Sequence, residues 1–185
     1  EPAVPDFDFD ALWTAWLRLR GFIVAGALRG LHADPALRAK LKPEACWEIE
    51  QGQRLAVPAL HEAAVTRTRW HATLLKLFER FDVLVLPAAQ AFPLPAELHW
   101  PREVGGRAMD TYHRWMEVTI GPSLAGLPAM AVPAGFSPDG ATRGLPMGVQ
   151  LIGRPGADLE VLRLAHGWHQ AVPFADARSP LLAVA

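Results

Sequence analysis

Three serines, one cysteine and a scatter of histidines and carboxylates are the residues here that could do chemistry. Hydrolysis by a serine needs the hydroxyl, a neighbouring base and backbone donors for the oxyanion. None of Ser123, Ser137 and Ser179 stands in the G-x-S-x-G turn that exposes such a serine above a sheet. Ser123 follows a proline in Gly121-Pro122-Ser123-Leu124, a context that suits backbone capping. Cys46, between Ala45 and Trp47 on an expected helix, reads as a packed thiol. His61-Glu62 begins like a zinc-protease helix, but Val65 stands where the second histidine belongs. His166 and His169 are i, i+3 neighbours with no carboxylate or cysteine at ligand spacing, so a solvated helix face is favoured over a metal site. Asp158 and Glu160 do not read as a glycosidase pair; Asp158 is expected to cap a helix instead. Gly105-Gly106, Gly153 and Gly156 fit neither dinucleotide nor phosphate loops and read as turns or close backbone approaches. Of the seven tryptophans, Trp16, Trp70 and Trp168 fall on apolar helix faces, which favours core packing. Trp13, Trp47, Trp100 and Trp115 are left open. On residue chemistry alone the chain holds no catalytic set and no metal site.

The elements that carry these residues follow from periodicity. The spacing predicts a helix from about Asp10 to Leu31, with Leu12, Trp16, Leu19, Ile23 and Leu28 on one face. Asp34 followed by Pro35 reads as an N-cap and a first-turn proline, opening a short helix to about Leu41. Another short helix starts at Lys42-Pro43-Glu44 and runs towards Gln51. A long one is expected from about Pro58 to Phe81, burying Ala63, Thr66, Trp70, Leu74, Leu77 and Phe81. The period then changes. Asp82–Pro87 is a continuous β-prone run that predicts a strand buried on both faces. Residues 88–101 read as a loop, and Met109–Thr119 as a short helix. Two strands should follow, over Ala129–Val132 and Met147–Ile152, separated by a Gly/Pro/Asp-rich turn. A last helix over about Leu159–Ala171 would turn Val161, Leu162, Ala165 and Trp168 inward. Residues 1–8 read as a linker, 9–81 as mainly helical, 82–172 as strands plus helices, and 173–185 as an irregular tail. Alternation of this kind is the α/β class.

Composition narrows the function classes. Apolar residues make up 51% of the 185 residues, and glycine raises that to about 59%, against roughly 45–50% for soluble domains. The excess predicts an extensive core or a surface meant for a neighbour. A net charge of −1 without a basic run argues against nucleic-acid binding. The apolar run Ala125–Phe136, broken by Pro128 and Pro133, is too short for a membrane span. A single cysteine fits a reducing compartment, so the expected location is cytoplasmic. No signal-peptide pattern opens the chain, and it begins Glu1-Pro2-Ala3 without an initiator Met, which fits a fragment.

Two Gly-Leu-Pro units are the most specific feature. They stand at Gly126–Pro128 and Gly144–Pro146, the first leading to Val132-Pro133-Ala134-Gly135-Phe136. The second runs on through Met147-Gly148-Val149-Gln150-Leu151-Ile152 to Gly153-Arg154-Pro155. With Phe81–Pro87 before them and the helix after Asp158, these blocks resemble, over roughly residues 58–172, the C-terminal part of the amidase signature family. That resemblance implies part of an α/β/α domain with a mixed sheet, and carbon–nitrogen bond hydrolysis by a Ser–cis-Ser–Lys triad. The triad of such enzymes precedes the matched region, in a Gly/Ser-rich stretch absent from this sequence, so no catalytic residue is transferred. Ser123 stands where many relatives have Asn. The resemblance implies no metal or organic cofactor, a small-molecule amide as substrate, and the preceding part of the same protein as partner. Ala88, Gln90, Phe92, Trp115, Met116 and Ile120 are the candidates for the pocket wall, each competing with plain core packing. A non-catalytic scaffold or interaction protein that keeps this layer of the fold is the alternative. Exposed apolar surface and a cut sheet edge would favour homo-oligomers.

Overall fold

The computed structural model describes residues 1–174 and Ala177 and falls into two compact units, Glu1–Glu79 and Arg80–Ala185. The irregular tail expected over 173–185 therefore lies almost wholly outside the described residues.

The first unit is helical: α1 (Phe9–Ala33), α2 (Pro35–Arg38), α3 (Pro43–Gln53) and α4 (Val57–Leu77). Local caps set two of the starts. Asp8 Oδ1 accepts from the backbone N–H groups of Asp10 and Ala11, at 3.0 and 2.9 Å. Asp34 Oδ1 accepts from Ala36 and Leu37 at 2.8 and 3.3 Å, ahead of Pro35, as its sequence predicts. The α1 core face differs from expectation. Leu12, Trp13, Ala15, Gly21 and Ala25 are buried, whereas Ile23 is exposed. The reason is a backbone-to-backbone crossing of α1 and α3: a Cβ on Gly52 would run into the Gly21 carbonyl, so small residues occupy the contact. On α4 the expected stripe holds through Ala63, Trp70 and Leu74. The helix nevertheless stops at Leu77, where Glu79 N–H turns back to the Lys76 carbonyl at 3.3 Å, and Phe78 rather than Phe81 is buried. Phe7 meets the Trp70 ring edge-on at 5.1 Å. Among the described residues α1, with a mean hydropathy of 1.2, is long and apolar enough to cross a membrane by length and composition. It packs instead along α3 and α4, and its Arg18 and Arg20 pair with Glu62 and Glu48.

The second unit holds β1 (Leu84–Pro87), β2 (Glu103–Val104), β3 (Arg107–Ala108), a 3-10 helix (Arg114–Thr119), α5 (Ile120–Ala125), β4 (Ala129–Phe136), β5 (Pro146–Ile152) and α6 (Asp158–Ala171). The three longer strands lie in the order β1-β5-β4, with both ladders antiparallel. Val132, Leu151, Val161 and Ala165 form the core between this sheet and α6. Trp168 closes it, donating its indole N–H to the Pro133 carbonyl at 2.8 Å. Helices followed by strands with flanking helices is the α/β arrangement the sequence predicts.

Four local expectations need correction. β1 is not buried on both faces: Val85 and Leu86 are exposed, because β1 is an edge strand and α6 packs on β4 and β5. Leu162 is exposed too, since the α6 contact narrows to Val161 and Ala165. Asp158 is not the cap; Ala157 is, with no side-chain bond, and Asp158 and Glu160 sit in the first turn, where the helix dipole favours acids. The helix expected over Met109–Thr119 begins at Arg114 as 3-10 and passes into α5. It ends at Gly126, whose φ of 69° is the left-handed conformation that lets Leu127 N–H reach the Pro122 carbonyl at 3.1 Å. Residues 103–108, which the sequence left unassigned, form the β2–β3 hairpin around Gly105-Gly106.

Candidate substrate groove

Two glutamines tie together the elements around the site. Gln150, on β5, donates its amide Nε2 to the Pro87 carbonyl at 2.9 Å and to the Val118 carbonyl at 3.1 Å. Gln90 closes the pattern by accepting the Val118 N–H at 2.9 Å. The end of β1, the loop after it and the 3-10 helix are thereby tied to one strand. Both side chains satisfy backbone groups that would otherwise be costly to bury.

That tie places Trp115 beside the β4–β5 ladder. Between them is an open groove of about 560 Å³. The loop after β1 contributes Phe92, Pro93 and Leu94; the strands contribute Ala131, Val132 and Pro133 from β4, and Pro146, Met147 and Gly148 from β5. Every lining side chain is apolar, and Trp115 Nε1 is the one nitrogen among them. It is buried and has no hydrogen-bond acceptor. Gly148 keeps the strands close here: a Cβ on it would sit 3.0 Å from the Val132 carbonyl oxygen.

Charge lies on the other side of the same turn. Arg114 is only 8% exposed. It donates Nε and Nη2 to the two carboxylate oxygens of Asp110 at 3.0 and 2.8 Å, and Nη1 to Glu117 at 3.1 Å. Arg107, on β3, reaches Glu117 at 2.8 Å and joins the hairpin to the network. The Arg114 hydrogen bonds hold the Asp110 carboxyl below its ordinary range, and the Asp110 bond in turn raises Arg114. Tyr112 packs edge-on against Trp100 and Trp115, and Arg102 lies 3.8 Å over the Trp100 ring.

Of the six residues expected at a pocket wall, Phe92 and Trp115 line the groove. Gln90 works as the tie just described. Ala88 continues the ladder through its N–H to the Gly148 carbonyl at 2.9 Å. Ile120 is buried at the start of α5, and Met116 is half-buried on the 3-10 helix. Met147, Gly148, Ala131 and Pro133 were not anticipated; their signal was the pair of Gly-Leu-Pro units leading into β4 and β5. Ser123 Oγ donates to the Thr119 carbonyl at 3.0 Å, and Ser137 Oγ lies 2.9 Å from Thr142 Oγ1, so each hydroxyl has a local partner. His61, His166 and His169 are exposed on their helices. Among the described residues no three His, Cys, Asp or Glu side chains cluster as metal ligands.

Comparison with known proteins places this architecture. The Amidase family model matches residues 33–162. A glutamyl-tRNA(Gln) amidotransferase subunit of Dehalococcoides mccartyi is 35% identical over 104 residues, covering 52% of this chain and 19% of that protein. Its chloroplastic/mitochondrial counterpart in Oryza sativa subsp. indica is 36% identical over 123 residues, covering 65% of this chain and 21% of its own length. A bacterial aryl acylamidase of the amidase signature family superposes with a TM-score of 0.77 at 22% identity, over 91% of this chain and 35% of that one. The matched part of this chain thus spans about a fifth of the length of those curated relatives. Family match, sequence relatives and fold agree: the chain belongs to the amidase signature family.

Proposed function

We infer that this chain is the C-terminal portion of an amidase, supplying sheet strands and one wall of the substrate pocket but not the reacting groups. The observation that carries this reading is the groove: a concave, apolar surface beside the two strands that bear the family's Gly-Leu-Pro units. Support also comes from Ser123 and Ser137, whose hydroxyls are held by local partners rather than by a base. In the complete enzyme a serine of a preceding Gly/Ser-rich segment attacks the amide carbonyl. A lysine and a second serine shuttle the proton, backbone N–H groups hold the oxyanion, and water then releases the acid. The reading needs no cofactor, and the unpaired thiol of Cys46 suits a cytoplasmic setting.

A second reading, a scaffold that keeps this layer of the fold without chemistry, draws on the exposed Val85, Leu86 and Met130 of the sheet, which suit another chain. The encoding DNA separates the two. A frame continuing upstream of Glu1 into a Gly/Ser-rich signature with a preceding lysine is the expected result. A start codon at or near Glu1 supports the scaffold and overturns the enzyme.

A further inference from the structure

We propose that the second half of α1 is a contact between two copies of this chain, a symmetric antiparallel helix pair centred on Gly26. The contact is independent of the amidase reading. Leu19, Phe22, Ile23, Gly26 and Gly30 recur at the three- and four-residue spacing of one helix face, and none is charged. Along the first half of α1 the cover comes from α4. Phe9 meets the Trp70 ring at 6.0 Å, and Arg18 reaches the Ala59 carbonyl and Glu62 at 3.5 and 3.1 Å. Because α4 starts at Val57, its cover stops near Arg18. Beyond that point the Gly21 side of α1 packs on α3, while the opposite face is bare. Phe22 is 52% and Ile23 65% exposed there, and a methyl on Gly26 or Gly30 would meet nothing within 4 Å.

This face fits itself. Its bulky side chains precede its two glycines at turn spacing, so a two-fold axis through Gly26 sets Phe22 of each copy opposite Gly30 of the other. Side chain meets recess twice, and the two Gly26 backbones cross closely, as Gly21 and Gly52 do within the chain. The antiparallel sense opposes the helix dipoles. It also keeps the two copies of Arg29, on the border of the face, about 9 Å apart along the axis. Residues 19–33 make about 22 Å of helix, so the contact buries less than the roughly 1,200 Å² at which stable complexes begin. The dimer is therefore weak and in rapid exchange.

Sedimentation velocity of the whole 185-residue chain carrying Val85→Lys, which blocks the sheet edge, tests the contact. A monomer at about 1 µM should give way to a dimer, with no larger species, by about 500 µM, the range of a weak interface. Ile23→Lys should remove the dimer over that range. Gly26→Ala favours helix, so it should keep the fold while weakening the dimer about tenfold, as overpacking at a close crossing does. Its loss of association therefore cannot be laid to unfolding. Leu162→Lys, the same kind of change on the exposed side of α6, should leave the dimer intact. In a Cys46→Ser background, mild oxidation of mixed Phe22→Cys and Gly30→Cys chains should link unlike chains in preference to like ones. A chain that stays monomeric, a dimer indifferent to Ile23→Lys or Gly26→Ala, one lost in Leu162→Lys, or like-to-like linkage overturns the proposal. So does binding to phosphatidylcholine vesicles that Ile23→Lys removes while no dimer forms in solution, which assigns the face to a bilayer.

Discussion

Arg114 spends its charge on two carboxylates of its own turn, and Trp115, its neighbour in sequence, is the groove wall. A guanidinium this buried is tolerable only when its N–H groups are matched, and Asp110 and Glu117 match three of them. Arg114→Met should therefore destabilise the second unit by about 1–3 kcal/mol, the usual scale for hydrogen bonds to charged groups, read by urea unfolding followed through tryptophan fluorescence. Asp110 is more than half exposed, so solvent discounts its share. Its carboxyl is held below its ordinary value, so its contribution is complete above the unfolded-state pKa of about 3.9. That contribution is lost as pH falls through the lowered folded-state value. Asp110→Asn should accordingly be less stable than the parent chain at pH 7 and indistinguishable from it once both carboxyls are protonated. A difference that persists unchanged in acid would contradict the ion pair. The i, i+4 and i, i+3 spacings of Asp110, Arg114 and Glu117 suit the helix expected over Met109–Thr119. The reach of Arg107 to Glu117 was not legible, because it depends on the β2–β3 hairpin.

At the level of elements, local signals were the readable ones. Asp34-Pro35 announced α2, and the spacing of Ala63, Trp70 and Leu74 announced the inner face of α4, because caps and helical periods are written within a few residues. Faces set by long-range contact were not readable. Ile23 satisfies the α1 spacing, yet the buried side is fixed by the close approach of Gly21 to Gly52. That contact makes a sharp prediction. Gly52→Ala forces a methyl into the Gly21 backbone and should cost roughly 1–3 kcal/mol, as overpacking does. Gly26→Ala, on α1 with nothing within 4 Å of the new methyl, should stabilise by roughly 0.5–1 kcal/mol from helix propensity. Thermal unfolding of the two variants checks both signs; equal effects would dismiss the crossing as the cause. The groove shows the same division. Phe92 and Trp115 were legible from their place beside the family motif. Met147 and Pro133 line the groove only because β4 pairs with β5, and the bulge between Pro133 and Gly135 shifts the register there.

For the whole molecule, the apolar excess in the composition finds a physical place. Among the described residues β1 pairs with β5 alone, and Val85 is 49% exposed on it. An edge strand with apolar side chains is a template for another chain. The isolated chain should self-associate, and Val85→Lys should shift it towards monomer in light scattering across concentration. A parent chain that stays monomeric throughout would remove the edge from consideration. The proposed division of labour bears on function as well. A scaffold and an apolar wall bind and orient, but they do not attack a carbonyl, and Ser123 and Ser137 are held by local partners in ways that offer no base. Ammonia release from hexanamide and benzamide by the purified 185-residue chain tests this most directly. The account predicts release no faster than in buffer. Sustained turnover that disappears in Ser123→Ala or Ser137→Ala would place the reacting serine inside this chain and contradict it.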